Sequence, residues 1–186
     1  LVAWSAVANG DRLGGLVFSE REHVELRPCL GHRAALRFFR VLTEPTFWMS
    51  AGQATQTPET RRSLLRLMRV ARPGSQIFLL SDFRSLPDSF ESHLRQLARH
   101  SDVSLVQFFD PLESTLPPPG RYRVHMGNRS VAIDTENVRS RETYHDRFQA
   151  IRAPLENLSR LPGVQLLECS TAIDPYSVLT RHFKGR

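Results

Sequence analysis

Two apolar segments of the chain each end in a carboxylate. Residues 76–80 precede Asp82, and residues 103–109 precede Asp110. A segment whose apolar residues recur at helical spacing lies between them, so the pattern predicts two parallel strands joined by a helix. Parallel neighbours end at the same edge of a sheet, and open α/β sheets bind ligands at the carboxyl edge. We therefore expect Asp82 and Asp110 to emerge together there, although an aspartate at such a position is also a common turn former or helix cap.

The rest of the chain alternates between strand and helix patterns. Strands are predicted over residues 13–18, 23–26 and 164–167, and helices over residues 1–8, 33–42, 58–70, from Asp88, over 139–161 and from Pro175. Leu36 and Phe39 are expected to be buried in the helix at residues 33–42. The order predicts an α/β fold with a doubly wound, mainly parallel sheet and right-handed crossovers. Alternating residues on either side of Gly127-Asn128 predict a hairpin inserted at about residues 120–135, outside that sheet.

Composition is that of one domain spanning residues 1–186, with 40% hydrophobic and 24% charged residues. No apolar run approaches the roughly 18 residues that indicate a membrane span. The formal charge is +6, and Lys184 is the only lysine. Because the arginines are spread along helices and loops without interleaved aromatic residues, we interpret them as solvated helix faces, with no specific nucleic-acid surface. Cys29 and Cys169 are too few and too far apart for a disulfide framework or a zinc site, so both are expected to be reduced.

Several short motifs occur in a distinctive order. They are Gly10-Asp11-Arg12-Leu13-Gly14, Leu26-Arg27-Pro28, Leu79-Leu80-Ser81-Asp82-Phe83 and Asp110-Pro111-Leu112-Glu113, followed by Leu116-Pro117 and Gly120. In this order the chain resembles the bacterial domain-of-unknown-function family fifty-eight, from Leu1 to about Phe183. The resemblance implies a von Willebrand factor A-like, Rossmann-like fold. It also implies a non-enzymatic protein-interaction module whose partner is a MoxR-type AAA+ ATPase or one of its clients.

The chain departs from the family pattern near its start. Von Willebrand A-like domains usually begin with a central strand that ends in Asp-x-Ser-x-Ser, whereas residues 1–8 resemble the helix that should follow that strand. We therefore expect an N-terminally truncated domain whose first central strand is missing, with unpaired strand edges on either side of the gap. The domain is expected in the cytoplasm. It would be tethered to the inner membrane if the preceding segment carries membrane helices, as in some members of the family.

The resemblance further implies a divalent-metal adhesion site. Asp82 matches its strand-end aspartate, and Thr57 matches its threonine at the start of a helix, with Thr55 as a weaker match. A carboxylate and a hydroxyl suit Mg²⁺, which accepts few protein ligands and keeps several waters. Two ligands without Asp-x-Ser-x-Ser should bind this cation only weakly. Thr57 also precedes Pro58, a combination equally typical of a simple helix N-cap.

An enzymatic alternative places Asp82, Asp110 and Glu113 in one acidic cluster. Such clusters hold the paired metals of phosphoesterases and nucleases. Against this alternative, Pro111 turns the chain directly after Asp110, and no lysine or histidine lies at a fixed short distance to act as acid or base. The sequence also lacks a Gly-x-Ser-x-Gly elbow, a P-loop and a paired-histidine motif. We therefore expect no phosphatase or nuclease activity.

Overall fold

The computed structural model describes residues 1–19, 23–44, 59–126 and 129–183. In chain order the elements are α1 (Val2–Ala8), β1 (Leu13–Phe18), β2 (His23–Cys29), α2 (His32–Leu42), α3 (Glu59–Val70), β3 (Ser75–Ser81), α4 (Phe90–Ala98), β4 (Ser101–Phe109), α5 (Pro111–Ser114), β5 (Arg121–Met126), β6 (Arg129–Asp134), α6 (Val138–Leu158), β7 (Val164–Ser170) and α7 (Pro175–Phe183). The α/β class predicted from the sequence is confirmed. Contacts between residues divide the chain into two compact units, Leu1–Arg72 with Leu86–Leu97, and Pro73–Ser85 with Ala98–Arg186.

The first unit contains an antiparallel pair of strands, β1 and β2, with Val17 opposite Val24. Helix α2 packs against this pair. Close approach depends on Gly15, because a Cβ atom at that position would lie 2.5 Å from the ring of Phe38. Gly15 therefore makes room for an aromatic side chain from the helix, which is a recognised use of glycine within a strand.

Helix α2 buries Ala34 and Ala35, and the expectation that Leu36 is buried was wrong, because this side chain is 57% exposed. Each helical residue advances about 100° around the axis, so Leu36 points well away from the buried side that Ala34 occupies. Phe39 is half-buried, and its ring centroid lies 5.7 Å from that of Trp4.

In α4 the three apolar residues at helical spacing are all buried as predicted, namely Phe90, Leu94 and Leu97.

The second unit is organised around a parallel sheet in the order β3-β4-β7. Leu105 of the central strand lies opposite Leu79 on one side and Leu166 on the other. Residues 103–107 are all buried, the pattern of a parallel strand that is covered on both faces. Helix α6 covers one face, where the rings of Phe148 and Phe109 lie 5.2 Å apart.

Helix α7 packs on the opposite face of this sheet. Its residues Val178 and Leu179 contact a buried cluster of Val106, Leu167 and Cys169. Burial, followed by the charge of Asp174, raises the pKa of the Cys169 thiol. Cys29 is partly exposed, and both cysteines are free thiols, as expected from the sequence.

Strands β5 and β6 form an antiparallel pair in a sheet of their own, where the sequence predicts a hairpin. The predicted turn at Gly127-Asn128 lies outside the described residues. Arg141 of α6 joins the segments before and after the hairpin, because its guanidinium donates to the carbonyls of Pro117 at 2.7 Å and of Thr135 at 3.4 Å. Among the helices of the described ranges, none is both long and apolar enough to cross a membrane.

Candidate functional site at the carboxyl edge of the parallel sheet

Three strands of the second unit end at one edge of the sheet. Ser81 lies opposite Gln107, and Phe109 lies opposite Ser170. Because β3, β4 and β7 are parallel, the residues that follow them leave the sheet on the same side. The prediction that Asp82 and Asp110 share the carboxyl edge is therefore confirmed.

Asp110 connects the ends of β4 and β7. Its Oδ2 accepts a hydrogen bond from Thr171 Oγ1 at 3.0 Å, and its Oδ1 accepts one from the backbone N–H of Leu112 at 2.9 Å. The second of these bonds makes Asp110 the N-cap of α5. Both carboxylate oxygens of Asp110 are thus engaged by groups of the protein itself.

A guanidinium lies between the other two acids that the sequence singled out. Arg84 Nη2 is 2.7 Å from Glu113 Oε2, and Arg84 Nε is 3.5 Å from Asp82 Oδ2. The hydrogen bond to Glu113, followed by the charge of that carboxylate, raises the pKa of Arg84 above its ordinary value. All three side chains are partly exposed to solvent, so each ion pair contributes at most about 1 kcal/mol and chiefly fixes orientation.

Phe83 adopts a backbone conformation that is unusual for a bulky residue. Its φ is +53°, in the left-handed region, and its side chain is buried. Ser81 Oγ accepts a hydrogen bond from the Phe83 N–H at 3.1 Å, and Asp82 Oδ1 accepts one from the Arg84 N–H at 3.3 Å. A left-handed non-glycine residue costs on the order of 1–3 kcal/mol, which the surrounding contacts must offset. This turn fixes the direction in which Asp82 and Arg84 leave β3.

The predicted acids therefore share an edge without converging on one point. Asp82 and Glu113 both pair with Arg84, whereas Asp110 pairs with Thr171. No group of three or more His, Cys, Asp or Glu residues in the described ranges is arranged to hold a metal ion. The ligand cluster required by the phosphoesterase alternative is thus not found among those residues.

The proposed adhesion site is only partly covered by the described residues. Thr57, with its weaker alternative Thr55, lies outside them. Asp82 is a single carboxylate with the cationic Arg84 beside it, and this guanidinium would compete with a bound cation. The described residues alone do not make up a metal-ligand set, so Mg²⁺ binding through Asp82 and Thr57 stays a prediction.

Two residues of the edge were not identified from the sequence. Arg84 follows the strand-end aspartate by two positions, and Thr171 follows a strand that was predicted to end at Leu167 but continues to Ser170. The available signal was the alternation of apolar and polar residues beyond Leu167. Extending the predicted strand along it would have placed Thr171 opposite Asp110 in the sheet.

Exposed apolar side chains lie in the segments that follow β4 and β7. We call Leu112, Ile173 and Tyr176 the apolar rim, and each of these residues is more than half exposed. The rim is anchored at Leu112, whose carbonyl accepts a hydrogen bond of 2.6 Å from the hydroxyl of Tyr144, and at Tyr176, whose N–H donates to Asp174 Oδ1 at 3.1 Å. The edge therefore combines fixed charges with protruding apolar groups.

Comparison with known proteins identifies relatives of the chain. Residues 1–153 match the family described as Protein of unknown function DUF58. No curated protein matches the chain.

Solved structures resemble the chain at low sequence identity. The conserved hypothetical protein BatB from Bacteroides thetaiotaomicron is 13% identical with a TM-score of 0.51, and the match covers 99% of this chain and 84% of that one. An aerotolerance-related membrane protein from Bacteroides fragilis is 10% identical with a TM-score of 0.47, covering 99% and 84%. An uncharacterized membrane spanning protein from Vibrio fischeri is 15% identical with a TM-score of 0.25, covering 99% and 81%. Of these three structures, the first is similar enough to indicate a shared fold.

Proposed function

This chain belongs to the DUF58 family of proteins of unknown function, and we propose that it is a non-enzymatic module that binds a protein partner through the carboxyl edge of its parallel sheet. The observation that carries the proposal is that the apolar rim and the paired charges of Asp82, Arg84 and Glu113 follow strands that end at the same edge of the sheet. Exposed aromatic and aliphatic side chains together with arginine are the composition that interface hot spots favour.

Contacts within the chain fix several residues of the edge. Asp110 and Thr171 join two strand ends, and Arg84 joins the turn after β3 to Glu113. Residues that are held in place before binding lose less side-chain entropy in a complex, so more of the contact energy is retained as affinity. Loops placed on a rigid sheet are the usual location of binding residues in α/β proteins.

The family resemblance supplies the finer part of the proposal. It suggests a von Willebrand A-like, doubly wound domain in the cytoplasm, with a MoxR-type AAA+ ATPase or a client of that ATPase as the partner. The parallel order of β3, β4 and β7, with helices on both faces, supports this fold. The strand-end position of Asp82 supports the comparison with an adhesion site.

Binding to the MoxR-type ATPase of the same genome tests the interface. Replacing Ile173 and Tyr176 by glutamate should weaken the complex by about 30-fold or more, because burying either carboxylate against an apolar surface is costly. Val138→Glu is the matched control, since Val138 is also strongly exposed but lies at the start of α6. Dissociation constants from biolayer interferometry would decide. Equal losses in the rim variant and the control would contradict the proposed edge.

Metal binding is tested separately with Mn²⁺ as a paramagnetic substitute for Mg²⁺. We expect weak binding that Asp82→Ala abolishes, because this aspartate would be the charged ligand. Arg84→Ala should strengthen binding, because it removes a competing cation beside Asp82. Asp102→Ala, an exposed aspartate at the start of β4, serves as the control. Water-proton relaxation titrations that give the same affinity for the Asp82 variant and the wild type would exclude the adhesion site.

A further inference from the structure

We propose that the outward side of α2 docks on an anionic lipid surface. We call four exposed residues of that side the arginine face, namely Arg33, Leu36, Arg37 and Arg40. At about 100° per residue the four side chains fall within one third of the helix circumference. Ala34 and Ala35 point the other way and are buried. The proposal concerns a different unit from the carboxyl edge and does not depend on the function proposed for that edge.

Among the described residues, the charges of the arginine face have no acidic partner. Within the described part of the chain, Arg33, Arg37 and Arg40 form no ion pair. The first turn of α2 contains no acidic residue, although the partial positive charge at a helix N-terminus favours acids there. Three unpaired guanidinium groups on one side of a helix thus give a local positive field directed at solvent, and phosphate groups are natural counterparts of guanidinium.

Exposed apolar side chains accompany these charges. Leu36 lies among the arginines, and Leu30 is exposed just before the N-cap of the helix, Gly31. Trp4 of α1 is also exposed, and its ring centroid lies 5.7 Å from that of His32 at the start of α2. Tryptophan favours the boundary between water and acyl chains, where its ring is partly apolar and its N–H still finds a partner. Arginine for anionic headgroups, and tryptophan and leucine for the boundary with the acyl chains, are the residue types that proteins use to bind membrane surfaces.

The shape of this surface favours a lipid over a folded protein. The cavity of about 10 Å³ that Ala34, Arg37 and Phe38 line lies between α2 and the β1–β2 pair. It therefore belongs to the inward side of the helix and is too small to accept a side chain from a partner. The apolar stripe of α2 is turned inward against β1, so it cannot enter a groove on another protein. What remains exposed are protruding side chains, which a fluid interface accommodates without shape complementarity.

The expected binding is weak, reversible and sensitive to salt. An arginine close to an anionic leaflet strengthens binding by about fivefold, so three of them supply about 100-fold. Exposed charges are screened over about 8–10 Å at physiological ionic strength, so high salt should remove most of this gain.

Vesicle binding tests the proposal with Trp4 as the reporter. The chain has two tryptophans, so a Trp48→Phe background leaves Trp4 as the sole one. Large vesicles of phosphatidylcholine with roughly one quarter phosphatidylglycerol provide the anionic surface. We expect co-sedimentation and a blue shift of the Trp4 emission with these vesicles, and neither with pure phosphatidylcholine. Binding that is equal for both lipids, or absent from both, would overturn the proposal.

Matched charge variants separate the arginine face from net charge. Arg33→Glu, Arg37→Glu and Arg40→Glu together should lower vesicle partitioning by at least about 100-fold. Arg139→Glu, Arg147→Glu and Arg160→Glu change the net charge equally, at exposed positions in and just after α6, and should lower it less than about threefold. Circular dichroism melting checks folding, and a triple Arg→Gln variant of α2 replaces the glutamate form if that form does not fold. Equal losses in the two sets, or preference for soluble polyglutamate over vesicles, would contradict a lipid-binding face.

Discussion

Leu105→Ala is expected to lower the free energy of unfolding by about 2–5 kcal/mol. Leu105 is completely buried in the central strand of the parallel sheet, between Leu79 and Leu166. Truncation removes apolar area from the core and leaves a cavity, because strands on both sides hold the backbone in place and limit collapse. The loss is a substantial fraction of the roughly 5–15 kcal/mol that typically separates a folded domain from its unfolded chain.

Chemical denaturation measures this effect, with Leu80→Ala as the control. Leu80 lies in the adjacent strand, and its side chain is 57% exposed. The same substitution there should change the free energy of unfolding by no more than about 0.5 kcal/mol. The midpoint should fall strongly for the Leu105 variant and hardly move for the Leu80 variant. Similar midpoints for the two variants would show that β4 is not the centre of the core.

Gly163→Ala is expected to cost about 3 kcal/mol, more than a typical surface substitution. Gly163 has φ +76°, and a Cβ atom at this position would lie 2.9 Å from the carbonyl oxygen of Ala98. The Gly163 carbonyl also accepts a hydrogen bond from the Val103 N–H at 2.8 Å, which holds the turn against the start of β4. An alanine must therefore adopt a left-handed conformation and also push away a backbone atom that has little freedom to move.

Gly74→Ala isolates the conformational part of that cost. Gly74 has φ +79°, yet within the described ranges no heavy atom beyond its chain neighbours lies within 4 Å of a Cβ placed there. Its replacement should cost only about 1 kcal/mol, the left-handed penalty of an L-residue. For a chain of this length the difference between the two variants corresponds to roughly 4–8 °C in Tm. Equal melting temperatures would mean that the turn at Gly163 relaxes, contrary to the close contact with Ala98.

At the carboxyl edge, one arginine changes the chemistry expected of the predicted acidic cluster. The sequence predicts that Asp82 and Glu113 are acids available to a metal. In the structure, Arg84 pairs with both of them. Arg84 is adjacent in sequence to Phe83, whose left-handed backbone turns the chain at the end of β3. Local charge counts do not reveal this pairing, because it depends on the direction in which the chain leaves the strand.

The elements themselves followed from the sequence with few errors. Apolar periodicity located α4 and α6. Helix α1 ends just before Asn9-Gly10, as predicted, and Gly10 has φ +75°. The Asp174-Pro175 pair opens α7, where Asp174 Oδ1 accepts from the Tyr176 N–H at 3.1 Å. These features depend on residues within one or two turns of each other, so local sequence suffices. The predicted burial of Leu36 was wrong, because choosing the buried side of α2 requires knowledge of what the helix packs against.

The sequence by itself determined the alternation of strands and helices, and with it the shared edge of Asp82 and Asp110. A helical crossover between two strands makes them parallel, so the ends of both strands must lie on one side. Only the tertiary structure decided that Thr171 faces Asp110, that Arg84 lies between Asp82 and Glu113, and that Leu36 with its flanking arginines faces solvent. The physical reason is the distance along the chain over which each interaction acts. Periodicity and capping act over a few residues, whereas Asp110 and Thr171 are 61 positions apart and meet only through strand register.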